Sequence, residues 1–121
     1  MTKRILVIED QEDNRAILRD LLTAAGYGLI EAVTGEDGVA AAAREKPDLI
    51  LMDIQLPQID GYEATRRIKA IAALNSIPII AVTSYALSGD DVKAFEAGCD
   101  AYVTKPFVPR QLLAKIREYL G

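Results

Sequence analysis

Three runs of four aliphatic residues, at positions 5–8, 49–52 and 79–82, constrain this chain more than any other feature. Each is too short for a buried helix and too continuously apolar for a strand with one wet face. Apolarity without in–out alternation is the pattern of strands covered on both sides, as in parallel sheets. Fainter runs at 29–32 and 101–103 continue the series.

Helical patterns fill the intervals. Ile17, Leu18, Leu21 and Leu22 recur at helical spacing and stop before Gly26, a residue suited to a left-handed cap. Thr34 and Asp37 form a capping-box pattern ahead of the alanine-rich stretch 39–43, which Pro47 closes. Asp60-Gly61 precedes a third helix running through Ile68, and Ser88 with Asp91 repeats the capping spacing before Val92 and Phe95, with Gly98 beyond. Pro109 fits the first turn of a last helix carrying Leu112, Leu113, Ile116 and Leu120. Strand and helix thus alternate five times, too few for an eight-stranded barrel. Short connections and right-handed crossovers predict an open, doubly wound α/β fold with a five-stranded parallel sheet, (βα)5. In such sheets ligands bind beyond the carboxyl ends of the strands, where strand order reverses.

Composition narrows the function. A chain of 121 residues fits one domain. With 14 basic and 18 acidic residues, the net charge of −4 argues against direct nucleic-acid binding. The absence of histidine removes Ser-His-Asp and Cys-His catalysis, His-ligated metals and any phosphohistidine on this chain. The single cysteine, Cys99, allows neither an internal disulfide nor a thiolate cluster, and a reduced, cytoplasmic setting is expected. It reads as a small buried filler. No apolar run reaches the roughly 18 residues of a membrane span, and residues 1–4 lead straight into a strand rather than forming a signal peptide. Arg66, Arg67 and Lys69 read as a solvated helix face.

The residues just past the strands carry the chemistry. Glu9 and Asp10 follow the first, Asp53 ends the third, Thr83 and Ser84 the fourth, and Thr104, Lys105 and Pro106 the fifth. Like charges brought within a few ångström stay ionised only beside a cation, and oxygen-only ligands favour a hard ion such as Mg2+. The alternative is that these acids merely cap the next helix, a task Asp13 or Asn14 could perform. Lys105 and Thr83 could likewise be a solvated loop lysine and a strand terminator. Facing a metal-bound acidic rim, however, they supply a cation and a hydroxyl for an oxyanion such as phosphate. Asp53, at the end of an apolar strand, is then a rigidly held nucleophile. The expected chemistry is Mg2+-assisted phosphoryl transfer to a carboxylate.

With these residues in place, the chain closely resembles the receiver domain of two-component response regulators. The matching stretches are residues 5–10, 48–57, 60–61, 79–84, 98–102 and 105–107, in family order and spacing. The resemblance implies a flavodoxin-like sheet of strand order 2-1-3-4-5. It implies Asp53 as acceptor of a phosphoryl group from a partner's phosphohistidine. It further implies Mg2+ held by Asp10, Asp53 and the Gln55 carbonyl, with Glu9 acting mainly through water. Lys105, Thr83 and Ser84 would bind the phosphoryl oxygens, and the peptide bond before Pro106 would be cis. Thr83 and Tyr102 match the switch pair, whose rearrangement remodels the face formed by the fourth helix, fifth strand and fifth helix. The plain reading of Tyr102 is a half-buried tyrosine at the sheet edge. Gln55 and Tyr85 occupy two variable positions that tune phosphoryl lifetime in the family. Glu9 departs from the commoner aspartate, and Ser84 from the commoner alanine.

The expected protein is therefore a phosphorylation-activated switch rather than an enzyme with an external substrate. It would be loaded by a histidine kinase or histidine phosphotransfer protein and would act on a downstream protein, as a monomer or a phosphorylation-dependent dimer. Residues 1–121 would be one receiver domain without an output domain, the alternative being a receiver fragment of a longer regulator. Two other classes fit less well. A small Mg2+-dependent phosphatase or phosphotransferase with an aspartyl-phosphate intermediate, of the haloacid-dehalogenase-like type, needs a second acid two residues after the nucleophile, where Gln55 stands. A flavin carrier wants hydroxyl and glycine donors in the first loop, which is acidic here.

Overall fold

The computed structural model describes residues 2–84, 90–106 and 108–121. The strands are β1 (Arg4–Ile8), β2 (Gly28–Ala32), β3 (Leu49–Asp53), β4 (Ile79–Thr83) and β5 (Ala101–Thr104). The helices are α1 (Glu12–Ala24), α2 (Gly35–Glu45), α3 (Gly61–Lys69), α4 (Asp90–Ala97) and α5 (Pro109–Leu120), with a short 3-10 turn at Ala72–Leu74. All strand pairs are parallel, in the order β2-β1-β3-β4-β5. The open doubly wound sheet expected from the apolar runs is the one observed.

The runs are continuously apolar because alternate residues enter different cores. In β1, Ile5 and Val7 join Leu18, Leu22, Leu112 and Ile116 on the α1/α5 side. Leu6 and Ile8 join Ile50, Met52, Ala64 and Ile68 on the other side. Every residue of β3 and β4 is buried. Removing that apolar surface from water is the main driving force for assembling the sheet, at about 25 cal/mol per Å2.

The helix signals resolve in detail. The Thr34 hydroxyl accepts from Asp37 N–H at 3.0 Å, and Asp60 accepts from Glu63 N–H at 2.9 Å. Lys46 ends α2 in a left-handed conformation just ahead of Pro47, and Pro109 opens α5. Gly26 and Gly98 have φ of 92° and 114°, where a Cβ is strained. Two expectations are corrected. Gln11 is the N-cap of α1 and its side chain makes no cap hydrogen bond, so Asp13 and Asn14 lie inside the first turn rather than capping it. Lys69 is not solvated with Arg66 and Arg67: its ammonium donates to the Asn75 and Ile77 carbonyls and to Asp100, tying α3 to the chain entering β4. Arg66 and Arg67 stay exposed and pair with Glu63. The Ser88 half of the second capping pattern, Tyr85 and Phe107 lie outside the described residues.

Candidate functional site

The chain order turns at β1, which pairs with β2 on one side and β3 on the other. Glu9 and Asp10 emerge from β1 and Asp53 terminates β3, so the reversal itself brings the acids together. One carboxylate oxygen from each of the three lies within 4.8 Å of the others. Glu9 is 2% and Asp53 4% exposed, far below what carboxylates tolerate without compensation.

Lys105, just past β5, supplies part of that compensation. Its Nζ lies 2.9 Å from Glu9 Oε1 and 3.3 Å from Asp53 Oδ1. The Lys105 N–H donates to the Thr83 carbonyl at 2.7 Å, and the Lys105–Pro106 peptide is cis, as the resemblance implies. Burial and the adjacent Glu9 push the Asp53 carboxyl up to about 6, with Lys105 opposing them. Burial works against ionisation of Glu9 as well, but the Lys105 ammonium and the Gln11 N–H outweigh it and hold its carboxyl below the usual range. Lys105 is held above its ordinary value, burial opposing and the two carboxylates prevailing. One ammonium therefore pairs with two of the three acids, Glu9 and Asp53, which leaves a negative, oxygen-lined hollow. The donor set fits a hard divalent cation: carboxylate oxygens, no nitrogen or sulfur, and buried charge still unneutralised.

Donors face Asp53 from the other side. The Gln55 N–H lies 3.3 Å from Asp53 Oδ1, and the buried Thr83 at the end of β4 is linked to the Gln55 side chain. Ser84 N–H donates to Gln55 Oε1 at 3.0 Å. The structure thus gathers Glu9, Asp10, Asp53, Gln55, Thr83, Ser84 and Lys105 on one rim. Tyr102 lies apart from this rim, within β5, half-buried against the core that faces α3 and α4.

One contribution was missed by reasoning from sequence. Arg15 donates to the Glu9 carbonyl at 2.8 Å and pairs with Glu31 at 3.4 Å, bracing the acidic loop from α1. Its position one turn inside α1, after an acid pair, was the only signal available. Gln55 was named at a position that tunes phosphoryl lifetime, but the turn of its side chain onto Thr83 and Ser84 is a direction that sequence does not specify.

The comparisons agree with this geometry. Residues 5–117 match the family model of the response regulator receiver domain. The polar-differentiation response regulator DivK of Brucella ovis is 42% identical over 121 residues, covering 100% of this chain and 98% of its own. The receiver domain of a Pseudomonas aeruginosa PAO1 sensor histidine kinase, solved with magnesium coordinated in its active-site cleft, is 36% identical. It superposes with a TM-score of 0.93 over 100% of this chain and 99% of its own. The receiver domain of Saccharomyces cerevisiae Ssk1, solved with the histidine phosphotransfer signalling protein Ypd1, is 30% identical with a TM-score of 0.90, covering 98% and 88% of the two chains. An acidic rim at the switch point of a 2-1-3-4-5 sheet, matched along nearly its whole length, places this chain in the response regulator receiver domain family of two-component systems.

Proposed function

We propose that Asp53 accepts a phosphoryl group from a phosphohistidine of a partner protein, with Mg2+ bound at Glu9, Asp10, Asp53 and the Gln55 carbonyl. The observation that carries this reading is the convergence of three acids within 4.8 Å opposite a single lysine. Because these 121 residues hold no histidine, the donor imidazole lies outside them. An Asp53 carboxylate oxygen attacks phosphorus, the P–N bond breaks, and the imidazole departs with the electron pair and takes up a proton. With its carboxyl near 6, Asp53 is mostly ionised at neutral pH and so nucleophilic. Bound Mg2+ supplies charge neutralisation for the acids and the phosphoryl oxygens. Lys105, the Thr83 hydroxyl and the Ser84 N–H take up phosphoryl oxygens, and charge-assisted bonds of this kind are about twice as strong as neutral ones.

The surroundings support loading by protein contact. A hollow of about 500 Å3 beside the rim is lined by Asn14, Ile17, Ser84, Lys105, Pro106 and Pro109, with Ile17 53% exposed. An apolar helix of a histidine kinase or phosphotransfer protein could seat there beside Asp53. On the output side, a second hollow of about 250 Å3 is lined in part by Tyr102, Val108, Gln111 and Lys115. We assign to it the contact with a downstream protein, with Thr83 and Tyr102 as the switch pair. Residues 1–121 act as one receiver unit, a switch rather than an enzyme turning over an external substrate. No described helix is long and apolar enough to cross a membrane, and a cytoplasmic location follows from the kinase partnership proposed.

The test is intact-protein mass after incubation with Mg2+ and a small acyl phosphate. A gain of about 80 Da that needs Mg2+ and disappears in Asp53→Asn supports the assignment. No adduct, together with no binding of beryllium fluoride, overturns it.

A further inference from the structure

Gln55 stands two residues after Asp53, and its carboxamide turns across the rim rather than out to water. Its Oε1 accepts from Ser84 N–H at 3.0 Å, and its Nε2 donates to the Thr83 hydroxyl. The backbone N–H of the same residue is directed at Asp53 Oδ1 at 3.3 Å, so the side chain is anchored at its root beside the phosphoacceptor. A carboxamide oxygen on the Ser84 N–H mimics a phosphoryl oxygen in that position. The N–H directs one proton, so the carboxamide and a phosphoryl oxygen compete for it.

We propose that the Gln55 carboxamide is a displaceable occupant of the phosphoryl-binding donors: it holds Ser84 N–H and Thr83 in the unphosphorylated protein and must swing out before Asp53 can be loaded. This rests on the assignment of Asp53 as phosphoacceptor. The exchange runs in favour of loading, because a neutral acceptor gives way to a charged one. The occupant therefore delays phosphorylation without preventing it. It also gives the buried Thr83 hydroxyl a hydrogen-bond partner, at a position where polar groups need one.

Gln55→Met keeps the length of the side chain and removes both hydrogen bonds, and Gln55→Ala removes the side chain. Both leave the backbone N–H and carbonyl in place. The rate of Asp53 loading by a small acyl phosphate at saturating Mg2+ is expected to rise roughly threefold to tenfold in both, the factor carried by a net neutral hydrogen bond. Hydrogen exchange of the Ser84 amide, read in unphosphorylated protein without Mg2+, is expected to accelerate by a similar factor. Unchanged or slower loading overturns the proposal in any variant whose Mg2+ affinity and unfolding midpoint match the parent, as does unaltered Ser84 exchange. If the parent forms no Asp53 adduct while Ser84 exchange still accelerates in the variants, the phosphoacceptor assignment fails and the occupant role falls with it, although the hydrogen bonds themselves are real.

Discussion

Replacing Asp53 by asparagine should stabilise the metal-free protein. In the fold the Asp53 carboxyl is raised from 3.8 to about 6 by burial and by Glu9. A displacement of that size corresponds to about 3 kcal/mol of penalty on the ionised form, at about 1.4 kcal/mol per pH unit. The sign is that of a raised acid. Between about pH 4 and 6 the folded protein keeps a proton on Asp53 that the unfolded chain has released. Stability from this group therefore falls as pH rises through that window and is flat above it. Asparagine has no such slope, and its amide can accept from Lys105 and Gln55 N–H while donating to Glu9. Because Asp53 shares Lys105 with Glu9, part of the penalty passes to Glu9 when Asp53 is replaced. A net gain of about 1.5 kcal/mol at pH 7, and close to none at pH 4, is then the expected figure. Urea unfolding of both proteins in a chelator at pH 4, 5.5 and 7 measures it. Adding Mg2+ should reverse the order, since a ligand at 100 times its Kd contributes about 2.7 kcal/mol to the parent alone. If Asp53→Asn is no more stable at pH 7, or its advantage does not grow between pH 4 and 7, the charge argument for the site is wrong.

Other residues give sharper single outcomes. Lys105→Met strips the only ammonium described at the cluster from two buried carboxylates. It should cost roughly 3 kcal/mol without metal, tighten Mg2+ binding severalfold and abolish loading; normal loading would remove Lys105 from the chemistry. Gly61→Ala would put a Cβ 2.3 Å from the Asp53 carbonyl and 2.7 Å from Ile54 Cα. Neither backbone atom can yield, so a loss of about 2–3 kcal/mol with weakened Mg2+ binding is expected from urea and metal titrations. Parent-like values would show that α3 can retreat from β3 at no cost. Cys99 is buried, with its thiol pushed up chiefly by burial. A thiol reagent at pH 8 should label it only after unfolding, and rapid stoichiometric labelling of the native protein would contradict the packing.

Much of this molecule can be read along the chain because its strands are buried on both faces. Runs such as 5–8 and 79–82 need no partner to be recognised; Thr34 and Asp60 mark helix starts through bonds that span three residues, and Pro109 through its fixed φ at the first turn. The acids, hydroxyls and lysine of the rim were legible for a related reason. Once strands are parallel, their carboxyl ends share one edge, and whatever follows them meets there. Lys69 was misread because its partners, the Asn75 and Ile77 carbonyls and Asp100, come from the turn before β4 and the residue entering β5. The cap of α1 was misread because Asp13 and Asn14 could serve equally by propensity, and the backbone had already turned helical at Glu12.

Which segments are strands, which are helices, and which chemical groups stand at the strand ends can all be read along the chain. Local hydrogen bonds and hydrophobic periodicity act over a few residues, so their signals are contiguous in the chain. Packing in the folded molecule settles how those groups interact. It sets the sharing of one ammonium between Glu9 and Asp53, the brace from Arg15 to the Glu9 carbonyl, and the turn of the Gln55 carboxamide onto Ser84. Those are contacts between residues 6 to 96 positions apart. Their strength depends on distance and burial, which the chain acquires only when β1 and β3 close side by side.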